Sequence, residues 1–226
     1  QSPASSCVLW LPPYHDMGLL NLLYALAIGF PCVVMSPALF IQRPLRWLAA
    51  IAHYRATYSG GPNFAYDLCV RKILPEQRAA LELSCWEVAF NGAEPVRAQT
   101  LTDFAAAFGP CGFDRRAFLP CYGLAEFTVA VSGGAVEEPP VAVSFDRLEL
   151  QRGRAVPVTA EEGDPLIGCG NVKADHQLRI VIGTLREEEM LDDTVILLCA
   201  DHGDMIGDHG LYAKRLMYEG SANVPM

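Results

Sequence analysis

Between residues 7 and 134 a short apolar run is followed by a helix-forming stretch four times over. That alternation restricts the chain to an α/β fold built on a mainly parallel sheet flanked by helices. CVLWL at 7–11 reads as a buried strand, and MGLLNLLYALAIG as an apolar helix closed by Gly29. PCVVMS is a second strand, and PLRWLAAIAHYRA a helix with Pro44 in its first turn, where a missing N–H has no helical partner to lose. TYSGGP ends a third strand before the helix NFAYDLCVRKI. WEVAFNGAEP is a strand running into a turn, VRAQTLTDFAAAFGPCG a helix stopped at Gly109-Pro110, and AFLPCYGLAE a further strand and turn.

The pattern changes after residue 134. Residues 135–170 are rich in Pro, Glu and Gly, with short alternating runs that predict small antiparallel strands or a surface excursion. Beyond Gly170, Leu178, Val181, Ile182 and Leu185 share one helical face, with Gly183 costing that helix up to about 1 kcal/mol. DDTVILLCA follows as a buried strand that could add to a sheet edge, and then the Gly-punctuated loop CADHGDMIGDHGLYAK.

Composition removes several classes of function. A chain of 226 residues that is 51% hydrophobic and 19% charged can bury a proper core. Its net charge of −9, with no Lys/Arg run, argues against nucleic acid as a partner. No apolar run reaches the roughly 18–20 residues of a membrane span, since Met17 to Met35 is interrupted by Asn21, Gly29 and Pro31. The eight cysteines are scattered without a C-x-x-C pair, which predicts free thiols in a reducing, cytoplasmic setting. The opening QSPASSCVLWLPP has no initiating Met or basic leader, and ANVPM ends abruptly, so both ends are expected to be cut from something longer.

Three loops follow strands: PPYHDMG (12–18), FNGAEP (90–95) and CYGLAE (121–126). Loops at the carboxyl ends of parallel strands gather on one edge, where ligands bind. The Gly92-Ala93 backbone lets a flat base approach, Tyr122 offers a stacking face, and Glu126 is a hard oxygen ligand for Mg2+. His15 stands where it can meet a carboxylate or phosphate. Taken singly, a loop histidine is usually a hydrogen-bonded surface group, and a glutamate after Gly-Leu-Ala a helix-terminal acid.

Taken together, WLPPYHDMGL, SGGPNFAYDL, WEVAFNGAEP and CYGLAEFTVAVSGG resemble the adenylate-forming enzymes, most closely the fatty acyl-AMP ligases, over residues 1–170. The resemblance implies activation of a fatty acid by ATP to acyl-adenylate and pyrophosphate, followed by acyl transfer to the thiol of an acyl carrier protein. By position, Gly92, Ala93 and Glu94 would line the adenine pocket, with Tyr122 and Gly123 against the base. Glu126 would bind Mg2+, His15 would sit near the acyl carboxylate and α-phosphate, and SGGPNFAYDL would line the acyl tunnel. The excursion at 135–165 would correspond to the insertion that sets these ligases apart from acyl-CoA synthetases. The family's Ser/Thr/Gly-rich phosphate loop, its ribose-binding Asp and the small domain with its catalytic Lys are not among these 226 residues.

Residues 171–226 are similar to a different group, the sulfatases and phosphonate monoester hydrolases of the alkaline-phosphatase superfamily, through TVILLCADHGDMIGDHGLYAK. That resemblance implies a short α/β piece in which Asp201 and His202 bind a divalent cation, Ca2+ or Mn2+. Lys214 would meet a sulfate or phosphonate oxygen, and Asp208 and His209 have weaker claims. No cysteine stands in the C-x-P-S-R run from which that family's nucleophile forms. The expectation is therefore a ligase-like domain at 1–170 joined to a sulfatase-like segment at 171–226. By family the foremost reading is a fatty acyl-AMP ligase fragment, expected to be inactive as it stands, and metal-dependent ester hydrolysis is an alternative; on activity a non-catalytic chimera is the expectation.

Overall fold

Apolar runs of three to five residues separated by helices can satisfy their backbones only by lying side by side, and they do so in parallel. A computed structural model describes residues 2–125 and 128–172, together with the backbone at 205–206 and 212–213. The chain divides into two units, Gln1–Gln177 and Leu178–Met226.

In the first unit β1 (Cys7–Leu9), β2 (Cys32–Val34), β3 (Tyr58–Gly61), β4 (Val88–Asn91) and β5 (Phe118–Leu124) run parallel. The crossovers are α1 (Asp16–Ile28), α2 (Pro37–Gln42), α3 (Leu45–Tyr54), α4 (Asn63–Lys72), α5 (Pro75–Arg78) and α6 (Ala98–Phe108). Their ends follow the local chemistry. Gly29 closes α1 in the left-handed region at φ 85°, and the Ser36 side chain caps α2 by accepting from Ala38 N. Past Gly109-Pro110 a short 3-10 turn ends at Gly112, again left-handed at φ 89°.

The core lies where α3, α4 and α6 cover the sheet. Trp47 is fully buried, its ring 5.3 Å from Trp86, 5.5 Å from Phe40 and 5.6 Å from Tyr66. Its Nε1 donates to Ser59 Oγ at 2.8 Å, and that hydroxyl donates to Val8 O at 2.5 Å, so one polar chain joins α3 to β3 and β1. Helix α1 is apolar nearly all round. It buries Met17 and Ala25 but leaves Leu19, Leu23 and Leu26 exposed.

Two features depart from strict strand–helix alternation. After β5 the chain reverses and returns as β6 (Val129–Gly133), antiparallel, with a register shift at Tyr122/Gly123. Four residues between the strands are far too few for a crossover, which needs a dozen or more, so antiparallel pairing is the only solution. At that edge β10 (Asn171–Val172) also pairs antiparallel with β6, giving the order β10-β6-β5-β4-β3-β1-β2. The excursion contains β7 (Ala142–Phe145), α7 (Arg147–Gln151), β8 (Pro157–Val158) and β9 (Asp164–Ile167). Its strands form the small antiparallel sheet expected, ordered β8-β7-β9.

In the second unit, β11 (Met205–Ile206) and β12 (Tyr212–Ala213) pair antiparallel. The helix expected beyond Gly170, the strand TVILLCA, and Asp201, His202, Asp208, His209 and Lys214 lie outside the described residues. Among the described residues no helix is long and apolar enough to cross a membrane, and all seven described cysteines are free thiols.

Candidate active site

Helix α1 runs back over one face of the sheet, and between the two lies a cavity of about 540 Å3. The loop Pro12–His15 feeds the helix from the carboxyl end of β1, so α1 begins at the sheet edge where β4 and β5 also end. His15, Ala93, Tyr122 and Gly123 all line this cavity, so four of the residues expected at the site come together.

His15 and Asp16 form the polar end. His15 Nδ1 lies 2.6 Å from Asp16 Oδ1. The Met17 N–H reaches both groups, at 3.2 Å to His15 Nδ1 and 2.7 Å to Asp16 Oδ1. His15 thus caps α1 with Asp16 beside it in the first turn, and its side chain remains 53% exposed. The carboxylate also offsets the positive end of the helix dipole.

The Gly92-Ala93 turn is tightly drawn against β5. A Cβ on Gly92 would meet Cys121 Sγ at 2.8 Å and Cys121 O at 2.9 Å, and Ala93 holds φ 67°, a conformation costly for a residue with a side chain. Gly123 is equally constrained, since a Cβ there would strike the backbone of Val129 across the bulge. Tyr122 is 42% exposed, a ring face open to a ligand.

Glu94 makes a bond that the sequence reading did not anticipate. Helix α4 follows Pro62 and has no side-chain cap of its own, and Glu94 Oε1 accepts from Phe64 N at 2.6 Å instead. Its carboxylate is a helix cap supplied from another strand, so Glu94→Ala is expected to lower stability by about 1 kcal/mol. Urea unfolding checks this, and Glu94→Gln should recover part of the loss. Glu126 lies outside the described residues, and among those described no group of three or more His, Cys, Asp or Glu could hold a metal ion.

The inner wall was not foreseen from the sequence. Met17, Leu20, Asn21 and Tyr24 line the cavity from α1, with Tyr58, Phe90 and Leu119 from the sheet. Asn21 Nδ2 donates to Met17 O at 2.7 Å, and its Oδ1 accepts from the Tyr58 hydroxyl. Burial, with Cys121, Tyr24 and Cys7 nearby, pushes the Tyr58 hydroxyl above the ordinary tyrosine range, so it remains a donor. The available signal was the spacing of Met17, Asn21 and Tyr24, one polar residue on a face otherwise suited to the core.

The model of the AMP-binding enzyme family matches residues 1–161. The chain belongs to that family. It is 44% identical over 187 residues to the medium-chain-fatty-acid--[acyl-carrier-protein] ligase TtuA of Teredinibacter turnerae, covering 82% of this chain and 29% of the relative. The corresponding ligase JamA of Moorena producens is 46% identical over 171 residues, covering 74% of this chain and 29% of that one. A solved fatty acyl-adenylate ligase from Legionella pneumophila, in complex with acyl adenylate and pyrophosphate, superposes with a TM-score of 0.74 at 42% identity. That match covers 76% of this chain and 31% of the other. The chain therefore spans under a third of the length of these AMP-binding relatives. They lend no support to the sulfatase-like reading of residues 171–226, nor to a chimera.

Proposed function

We propose that this chain forms the acyl- and adenosine-binding floor of an ATP-dependent fatty acyl-AMP ligase. Such an enzyme joins a fatty acid to AMP with release of pyrophosphate and then hands the acyl group to a carrier-protein thiol. The supporting observation is a cavity with His15, Ala93 and Tyr122 at its polar end and Leu20, Tyr24, Phe90 and Leu119 along its wall. An acyl chain fits along α1, which descends ~12 Å from Asp16 to Tyr24. The adenine fits between the flat Gly92-Ala93 backbone and the Tyr122 ring. His15, beside Asp16, stands at the end of the cavity where the carboxylate becomes the acyl phosphate.

ATP is the co-substrate of this reading and Mg2+ its usual companion. Bound Mg2+ supplies charge neutralisation at the phosphates. The roles derived for this chain are those of binding and orientation. The carrier-protein partner is inferred from the names of the TtuA and JamA relatives.

Titration calorimetry of the 226-residue chain with dodecanoyl-AMP tests the reading. Saturable one-to-one binding is expected, weakened about tenfold or more by Tyr122→Ala, as loss of base stacking dictates. Binding of the fatty acid alone, unaffected by adenosine or by the Tyr122 substitution, would sink it.

A further inference from the structure

Two of the cysteines are neighbours for a reason the ligase chemistry does not use. Cys7 and Cys32 are direct partners in the parallel β1–β2 ladder, so their side chains leave the same face of the sheet. Neighbouring strands lie ~4.8 Å apart, within the roughly 4.4–6.8 Å that a disulfide spans between Cα atoms. Among the described residues no other two cysteines face each other across a ladder.

The pair is also chemically unequal. Cys7 is 1% exposed, whereas Cys32 is half-buried on β2, which ends the sheet and pairs there with β1. Interaction with Cys32, together with burial, pushes the Cys7 thiol well up, while interaction with Cys7 draws the Cys32 thiol down. Cys32 is thus the accessible, thiolate-forming partner, and Cys7 stands behind it.

We propose that Cys7 and Cys32 form an oxidisable dithiol, in which Cys32 reacts with a hydroperoxide and Cys7 closes a disulfide across the β1–β2 ladder. In the first step the Cys32 thiolate attacks the peroxide, forming an S–O bond as the O–O bond breaks. The alkoxide or hydroxide released takes up a proton. In the second step Cys7 sulfur loses its proton and attacks the Cys32 sulfenic acid, and hydroxide departs with that proton as water. Two thiols are oxidised by two electrons, and one peroxide is reduced to alcohol and water. Direct ladder partners are slightly far apart at Cβ for an unstrained bridge, and a three-residue edge strand is the element able to lean inward. A bridge formed that way is readily reduced, the property of a reversible mark and not of a permanent staple.

The test treats the folded 226-residue chain with hydrogen peroxide, then counts alkylatable thiols in denaturant. The count should fall from eight to six and return to eight with dithiothreitol. A chymotryptic digest, which cuts repeatedly between the two positions, should yield one pair of peptides joined through Cys7 and Cys32. In Cys7→Ser the joined species should vanish and Cys32 should be trapped by dimedone as a sulfenic acid. In Cys32→Ser, Cys7 should stay alkylatable. Circular dichroism on each variant confirms that the fold is retained. The proposal is overturned by eight thiols surviving, by Cys32 advancing to sulfinic acid while Cys7 stays reduced, or by a link joining other cysteines.

Discussion

Trp47→Ala is expected to lower the stability of the chain by ~4 kcal/mol, a large part of the roughly 5–15 kcal/mol that holds a typical domain folded. The indole is fully buried and touches the rings of Trp10, Phe40, Tyr66 and Trp86. Alanine would leave a cavity that these rings cannot all close, because Tyr66 and Trp86 are themselves held by hydrogen bonds to Phe90 O and Val88 O. It would also remove the donor to Ser59, at the middle of the polar chain between α3, β3 and β1. Urea unfolding followed by circular dichroism gives the midpoint. Trp47→Phe, which fills most of the space without the N–H, should lie between the two. A Trp47→Ala midpoint within experimental error of the parent's would contradict the claim that the core centres on α3.

The second large effect concerns the site more than the fold. Gly18 lies in the first turn of α1, and a Cβ there would stand 2.1 Å from Pro12 O, 2.8 Å from Pro12 C and 3.1 Å from Leu11 C. All three are backbone atoms of the segment leaving β1, so nothing can rotate aside. Gly18→Ala must therefore push the amino end of α1 off that loop, carrying His15, Asp16 and Met17 with it. Overpacking of this kind costs about 1–3 kcal/mol, partly offset by the roughly 1 kcal/mol that alanine gains over glycine in a helix. Stability should fall modestly, while affinity for dodecanoyl-AMP should drop by more than tenfold, since displacements near 1 Å at a positioned group have effects on the order of a hundredfold. Leu26→Gln, on an exposed position of the same helix, should leave both unchanged. Equal affinity in Gly18→Ala and parent would show that the start of α1 is not part of the binding site.

Much of the architecture was legible because it is local. Each of the early strands and its following helix is encoded within a dozen or so residues by hydrophobic period, a proline start or a glycine stop, and Gly29 and Gly109 stand just past the ends of α1 and α6 as those signals require. The reversal into β6 was less visible. TVAVSG has strand composition, but its antiparallel direction depends on the shortness of residues 125–128, a matter of reach and not of period. The site was legible in part for the same reason. His15 and Ala93 sit past the ends of β1 and β4, and Tyr122 and Gly123 near the carboxyl end of β5, so a parallel sheet had to gather them.

What the sequence by itself determined is the α/β alternation, its punctuation, and motifs distinctive enough to mark an AMP-binding enzyme. The tertiary structure alone decided the partnerships. Glu94 caps α4 because the β4 turn passes the start of a helix thirty residues earlier in the chain. Asn21 meets Tyr58, and Cys7 meets Cys32, because the strand order places β1 between β3 and β2. Periodicity and capping act over a few residues, whereas strand order is settled by how helices and strands jointly bury apolar surface. Contacts between residues distant in the chain therefore appear only once the whole sheet has formed.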